Sequence, residues 1–328
     1  GNSTINSDNG TLTINSGGSI TSSGNHNITV GGAADININD PISIGSGSIT
    51  KVGDGVVQLQ QNNSYTGGTV LTAGTLAPYA IGAIGSNITF NGGAIRHYST
   101  NTSDLYAKYI QPVNGKSWRI DPGGNTVNYS SSEVFEDVAG GTNGFEVTGS
   151  GTLVMDEAAD SDTYSGTTVV SGGTLQLTTH NNNINSGQDV TVTGGTLDIN
   201  GTSPTFGTLT VSSGTVSGSG VISGTAYTIN PASGATATIT SRITNNGNSA
   251  IVTKSGNGLG VVSNTSNSFT GGVVLTGGIY APGSVEALGS TGSGNSGLIK
   301  FQGGAIRHFS ATQSDTNALY DRYIVPLD

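Results

Sequence analysis

The sequence predicts an all-β protein of the β-solenoid class, in which the chain winds into stacked coils of short parallel strands. Three observations favour this fold. Gly makes up 54 of the 328 residues, and Gly, Ser, Thr and Asn, which dominate the composition, are all poor helix formers. Charged residues are only 9% of the chain, far below the share of about 25% in ordinary globular proteins. Similar segments also recur along the chain, which is typical of solenoids.

Short alternating runs supply the predicted strands. In residues 191–199 and 208–216, Val, Leu and Ile alternate with Thr, Ser and Asp, so the apolar side chains point to one side of a strand. Gly-Gly and Ser-Gly pairs between the runs provide the positive φ angles that tight corners require. The spacing predicts coils of roughly 20–25 residues. A β-sandwich or a string of small barrels would need linkers between domains, and the sequence shows none.

Internal repeats occur at two scales. The shorter repeat ends in a Gly-rich corner and carries an aromatic anchor, Tyr65, Tyr164 or Phe269. Its three copies are 50–77, 148–177 and 253–280. At the longer scale, Gly-Gly-Ala-Ile-Arg-His-aromatic occurs twice, at 92–98 and 303–309.

The longer repeat predicts a tandem unit of roughly 200 residues. We therefore expect one continuous solenoid over 1–328 that holds about one and a half copies of this unit, namely 1–206 and an incomplete second copy 207–328. Because the last copy stops in mid-unit, we expect the chain to be a segment of a longer tandem array.

Composition and charge argue against several classes of function. The chain has no Cys, so it has neither disulfides nor thiolate metal sites. The net charge is −10, and the ten Lys and Arg residues form no basic cluster, which argues against nucleic acid as a partner. No stretch approaches the apolar length of a membrane-spanning helix. We expect no cofactor.

The copy at 148–177 carries a family resemblance. It reads Thr-Gly-Ser-Gly-Thr-Leu, then Thr-Tyr-Ser-Gly-Thr-Thr-Val, then Gly-Gly-Thr-Leu, and it resembles the passenger-associated transport repeat of bacterial autotransporters. The copies at 50–77 and 253–280 match in their main features, and together the three cover about a quarter of the chain. The resemblance implies an elongated right-handed parallel β-helix, export from a bacterium and a place at the cell surface. It implies no catalytic residues, because the family shares none.

The duplicated Arg-His segment is the main candidate site. An Arg-His pair close to an Asp suggests a ligand site or acid–base chemistry, whereas the alternative is an Arg–Asp pair across a loop with the His at the surface. Nearby tyrosines are common interface anchors. We expect this set to make contacts between repeat units or between neighbouring rods. Its members are Arg96, His97, Asp104, Tyr106 and Tyr109 in the first copy, and Arg307, His308, Asp315, Tyr320 and Tyr323 in the second.

The densest acidic cluster comprises Asp156, Glu157, Asp160 and Asp162. Carboxylate oxygens suit Ca²⁺, but the nonapeptide repeat of calcium-bound β-rolls is missing. The alternative, a solvated acidic loop, is the interpretation we favour.

Three functions fit a bacterial β-solenoid. The first is a non-catalytic structural segment of an extracellular fibre or filament, in which identical repeats or rods associate with each other. The second is an adhesin stalk that presents loops to surface polysaccharide or to host cells. The third is a polysaccharide-active enzyme, which needs two carboxylates at a defined separation; the scattered acids do not support it. We predict the first function and keep the second as the alternative.

Overall fold

The computed structural model describes residues 1–99, 105–130, 134–156, 162–178, 184–290, 298–308 and 324–326. Two compact units share the chain. The first unit comprises Gly1–Leu153 and Thr163–Gly166, and the second comprises Val154–Asp162 and Thr167–Asp328. Each unit is described by itself below.

Short strands build the first unit. Their bounds are β1 Ser3–Asn6, β2 Leu12–Ile14, β3 Ile20–Thr21, β4 Ile28–Gly31, β5 Ile36–Ile38, β6 Ile42–Ser43, β7 Ile49–Val52, β8 Val56–Leu59, β9 Thr69–Leu71, β10 Thr75–Pro78, β11 Ile88–Phe90, β12 Ala94–Arg96, β13 Ser117–Asp121, β14 Thr126–Ser130 and β15 Gly144–Val147. Strand β16, Thr152–Asp156, spans the division between the units.

The second unit has the same construction. Its strands are β17 Thr168–Val170, β18 Thr174–Leu177, β19 Val190–Val192, β20 Thr196–Asp198, β21 Thr205–Val211, β22 Gly214–Ser217, β23 Val221–Ile229, β24 Thr236–Ile239, β25 Arg242–Asn245, β26 Ile251–Lys254, β27 Leu259–Val262, β28 Val273–Leu275, β29 Ile279–Pro282, β30 Ile299–Phe301, β31 Ala305–Ile306 and β32 Ile324–Pro326.

In both units, a strand pairs with its counterpart in the next coil, and the pairing is parallel. In the first unit the ladders run β1-β4-β7-β9-β11 and β2-β5-β8-β10-β12-β13-β15, with a short β3-β6 pair. In the second they run β17-β19-β21-β23-β26-β28-β30-β32, with β25 beside β23, and β18-β20-β22-β24-β27-β29-β31. This arrangement confirms the predicted all-β parallel solenoid. The predicted continuity over 1–328 stays a prediction.

Apolar side chains form the narrow core. Ile28 stands in register with Ile49, and Ile49 with Thr69, so each coil adds roughly 20 residues. All three aromatic anchors of the short repeat, Tyr65, Tyr164 and Phe269, are fully buried. Large apolar side chains from successive coils therefore stack on one another inside each unit, as the alternating pattern predicts.

Two lysines break this apolar pattern at equivalent places. Lys51 lies between Val30 and Leu71 in a column of inward-facing residues, and Lys254 lies between Ile229 and Leu275. Neither lysine is exposed to solvent. The Lys51 ammonium donates to the carbonyl oxygens of Val52 and Gly53 at 2.7 Å and of Ala73 at 3.1 Å. The carbonyl oxygens of Ser255, Gly256 and Gly277 surround Lys254 Nζ in the same way.

Glycine is required where corners of successive coils touch. At Gly53, φ is +66°, and a Cβ would stand 2.3 Å from the carbonyl oxygen of Gly32 in the preceding coil. At Gly74, φ is +60°, and a Cβ would stand 2.4 Å from the Gly53 carbonyl oxygen.

Two 3-10 turns were not predicted from the sequence. They are Ile81–Ala83 and Val285–Leu288, and they follow the strands that end at Pro78 and Pro282. Proline removes a backbone donor and restricts the residue before it, which explains why the strands stop there.

Candidate functional site

Strand β12 positions the first Arg-His pair. Ile95 of this strand is buried and stands opposite Ile120 of β13, while Arg96 stands opposite Asp121. Because side chains alternate along a strand, Arg96 turns outward from the core. His97 follows the strand, and its backbone N–H donates to the Asp121 carbonyl oxygen at 2.8 Å.

The His97 ring lies inside the first unit, where it joins two tyrosines. His97 Nε2 is 2.8 Å from the Tyr129 hydroxyl and 3.0 Å from the Tyr109 hydroxyl, and the two hydroxyls are 3.2 Å apart. The residue is only 2% exposed. These contacts bind three segments together: the end of β12, the residues around Tyr109, and β14. We call these three residues the His–Tyr triangle.

The second ring nitrogen of His97, Nδ1, differs from Nε2 in its hydrogen bonding. Nδ1 is buried and has no hydrogen-bond partner among the described residues. Burial lowers the pKa of His97 to about 4, and the carboxylate of Asp121 opposes this shift only in part. Burial also raises the pKa of Tyr109 well above its usual range. At neutral pH His97 and Tyr109 are therefore uncharged.

Further aromatic rings continue from the triangle and form an aromatic cluster within the first unit. Phe135 is its centre and packs on the rings of Tyr106, Trp118, Tyr129 and Phe145 at centroid distances of 4.8–5.6 Å. Most of these pairs are edge-to-face, an arrangement that stabilises aromatic pairs beyond their buried area. The hydroxyl of Tyr106 lies 2.5 Å from the Val134 carbonyl oxygen. The cluster ties the segment 105–110 to the coil below it.

Two ion pairs cover the outer side of β13. Arg96 Nε lies 2.7 Å from Asp121 Oδ2, and the Asp121 carboxylate also accepts from the backbone N–H groups of Gly123 and Ser150. Arg119 and Glu146 stand opposite each other on β13 and β15. Their pairing is bidentate, at 2.7 and 3.2 Å. Both pairs join neighbouring coils.

Two shallow depressions meet at Ile110, a large apolar residue that is 38% exposed. The first, of about 230 Å³, is lined by residues such as Thr66, Asn87 and Thr89. The second, of about 180 Å³, is lined by residues that include Tyr106, Gln111 and Glu136. Their lining is mostly uncharged and polar.

The structure places the predicted site residues in different surroundings. Arg96 pairs with Asp121, and the predicted partner Asp104 lies outside the described residues. The interpretation of the histidine as a surface residue is wrong for His97, because its ring is buried and contacts both Tyr109 and Tyr129. His308 and Arg307 are exposed. Asp315, Tyr320 and Tyr323 also lie outside the described residues, so the expected contacts of the second copy stay predictions.

The acidic cluster is described only at its ends. Asp156 is exposed and Asp162 is buried, whereas Glu157 and Asp160 lie outside the described residues. Over the described ranges, no three His, Asp or Glu side chains come together in a way that could hold a metal ion. The solvated acidic loop therefore stays our prediction for this cluster, with calcium binding as its alternative.

Sequence reasoning missed the partners that define the site. Tyr129, Asp121 and Phe135 were not predicted, although each contacts a residue of the duplicated segment or its neighbours. One signal was available. The chain's single Trp, Trp118, stands next to Arg119 in β13, in a stretch that is poor in glycine.

The fold and the site define a class of protein: a parallel β-solenoid repeat protein whose aromatic and ionic side chains join successive coils. None of the helical turns in the described part of the chain has the length and hydropathy of a membrane-spanning helix.

Comparison with known proteins gives the family of the repeats. The sequence model of the passenger-associated-transport-repeat family matches residues 49–77 and 145–177. The adhesin BmaC autotransporter of Brucella suis biovar 1 (strain 1330) is 30% identical over 138 residues, which are 41% of this chain and 4% of that protein. No solved structure matches significantly. Residues 49–77 and 145–177 therefore match the passenger-associated transport repeat, which confirms the resemblance for two of the three predicted copies.

Proposed function

We propose that this chain is a non-catalytic scaffold segment of an exported bacterial adhesin, and that it stands at the cell surface. The observation that carries the proposal is where the matched repeats lie in the fold. Residues 49–77 contain β7 to β10, and residues 145–177 contain β16 to β18. Their characteristic aromatic residues, Tyr65 and Tyr164, are fully buried. The aromatic residues of the repeat motif thus contribute to coil packing.

Surface exposure is tested on intact bacteria that produce the full-length parent protein. An antibody against this chain labels unbroken cells, and added protease removes the label while a periplasmic marker protein survives. Labelling that appears only after the cells are lysed contradicts the proposal.

A binding role for the segment would use the two depressions around Ile110. Exposed amide groups of Asn87 and Gln111 line them, and amides and hydroxyls are the groups that hydrogen-bond to sugars. A surface polysaccharide that runs across successive coils is the partner that fits this lining. We expect Gln111→Lys to reduce retention of the purified chain on immobilised polysaccharide, while Lys116→Glu, also at an exposed position, does not. Equal retention of the two variants excludes this partner.

Assembly into a fibre is the second candidate function. The recurrence of the sequence 92–98 as 303–309 favours it, because near-identical segments along one chain suit repeated contacts between copies. Arg307 and His308 are exposed in the second of these segments. Sedimentation of the purified chain over a range of concentrations, with electron microscopy, distinguishes filaments from single particles. We expect Arg307→Glu to weaken filaments and Lys116→Glu, which makes the same charge change elsewhere, to leave them intact. A chain that stays monomeric excludes self-assembly of this segment.

A further inference from the structure

His97 holds together segments that lie far apart in the sequence, yet only one of its two ring nitrogens has hydrogen-bond partners among the described residues. Nε2 lies within hydrogen-bond distance of both Tyr109 and Tyr129. Nδ1 has no partner among the described residues. In either neutral tautomer, one buried donor or acceptor is left unpaired, which costs stability but is tolerated.

Protonation of His97 makes this arrangement much less stable. The imidazolium carries N–H donors on both nitrogens, so Nδ1 becomes a charged donor with no acceptor in a site that excludes water. A buried charge without a partner is among the most destabilising features a core can contain. The tyrosine hydroxyls provide dipoles but no negative charge.

Other titratable or charged groups on the elements around His97 offer little compensation. These groups are Arg96 on β12, Arg119 and Asp121 on β13, Tyr106, Lys108 and Tyr109 in the following segment, and Tyr129 on β14. Among the described residues, Asp121 is the carboxylate that favours the charged form of His97, but it is already paired with Arg96 and accepts from two backbone N–H groups. The Lys108 ammonium donates to the Ile84 carbonyl oxygen, and its positive charge would repel an imidazolium.

We propose that the His–Tyr triangle is an acid-sensitive latch: protonation of His97 expels the ring from the core, releases the segment 105–110, and opens the aromatic cluster to water. The segment is suited to release. Its contacts include the hydroxyls of Tyr106 and Tyr109, the packing of their rings on neighbouring aromatic rings, the Lys108 contact, and backbone bonds to β11 such as Ile110 N–H to the Ile88 carbonyl oxygen. Its last residue, Ile110, and the nearby Val113 already face solvent.

The pKa shift gives the direction and the size of the effect. The pKa of His97 in the closed state is about 4, below the ordinary value of 6.5, so the open state binds the proton more tightly. Stability of the closed state is complete above about pH 6.5 and falls as the pH drops towards 4. The difference corresponds to a shift of the open–closed equilibrium by up to about 300-fold at the acid end.

Trp118 makes the opening measurable because it is the only tryptophan. Its ring packs on Phe135, which packs in turn on Tyr129 of the triangle. On lowering the pH of the purified chain from about 7.5 to about 4, we expect a reversible red shift of the Trp118 emission with its midpoint below 6.5. In His97→Gln, which keeps hydrogen-bonding capacity but cannot titrate in this range, the transition disappears. His308→Gln, at an exposed position, keeps it.

An emission spectrum that stays unchanged down to about pH 4, or a transition that survives in His97→Gln, overturns the proposal. Should His97→Gln fail to fold, NMR titration of the wild-type chain with labelled histidine rings decides the question. The chain has four histidines. We expect one ring resonance to resist protonation until the Trp118 transition begins, and to titrate together with it. Four rings that all titrate smoothly near 6.5, with no accompanying change at Trp118, refute the latch.

Discussion

Replacing Gly53 by alanine tests whether glycine corners set the distance between coils. Gly53 and Gly10 have nearly the same backbone conformation, with φ of +66° and +71°, but a Cβ at Gly10 would meet nothing within 4 Å. The left-handed conformation costs an L-residue about 1–2 kcal/mol, and both alanine variants bear this cost. Gly10→Ala is therefore a matched control that isolates the contribution of close packing to the stability lost in Gly53→Ala.

The additional cost at Gly53 follows from the contact with Gly32. A Cβ placed 2.3 Å from the Gly32 carbonyl oxygen must retreat to at least the ordinary contact limit of 3.0 Å. That carbonyl accepts the Gly55 N–H at 3.1 Å, and the Gly53 carbonyl accepts from Lys51. Displacing the corner lengthens these bonds beyond useful range, and each lost bond costs about 1–3 kcal/mol when its partner stays buried. We expect Gly53→Ala to lose about 3–8 kcal/mol in total, against about 1–2 kcal/mol for Gly10→Ala.

Urea unfolding, followed by Trp118 fluorescence and far-ultraviolet circular dichroism, measures both variants. Gly53, Gly10 and Trp118 all belong to the first unit, so one fluorescence signal reports on the unit that contains both substitutions. If the two variants lose the same stability within about 0.5 kcal/mol, close approach of the corners is not what requires glycine, and the reasoning is wrong.

Three further predictions concern buried and bridging side chains. Burial lowers the pKa of Lys51 from 10.5 to about 8, so the unfolded chain binds more protons between these values and stability rises with pH there. Urea midpoints between about pH 7.5 and 9.5 should show this slope, and Lys51→Met should reduce it. Arg119→Met removes the bidentate pair with Glu146 and should cost about 1 kcal/mol, less at high salt; an unchanged midpoint would contradict it. Phe135→Ala should cost about 3–5 kcal/mol and shift the Trp118 emission, and a loss below about 1 kcal/mol would show that the cluster repacks.

Much of the fold could be predicted because alternation and glycine corners act locally. A run such as Thr208–Val211 specifies a strand and the direction of its side chains regardless of what lies in the next coil. The site could not be predicted in the same way. His97 and Tyr129 are in contact although they lie far apart in the sequence, and no local sequence pattern indicates that contact. Tyr109 lies in the segment between β12 and β13, where the alternation of a strand does not predict the direction of a side chain.

Lys51 shows a different limit of sequence reasoning. By alternation from Ile49 it falls on an inward-facing position, but its charge argues for the surface. The structure agrees with the alternation, because backbone carbonyl groups of the corner accept hydrogen bonds from the buried ammonium group. Three carbonyl oxygens accept its three N–H donors. A sequence pattern cannot reveal acceptors that belong to the backbone of a turn.

The corners of the repeats differ in the side chain that hydrogen-bonds to their backbone groups. At Lys51 and Lys254, a cation from the strand before the corner donates to carbonyl oxygens. In the middle repeat, the apolar Val147 precedes the corner, and the Asp121 carboxylate accepts from the backbone N–H of Ser150. A corner that turns carbonyls inward needs a donor, and one that turns N–H groups towards the preceding coil needs an acceptor. The repeat motif can therefore keep its glycines and its apolar spine while the polar group at each corner changes from Lys to Asp.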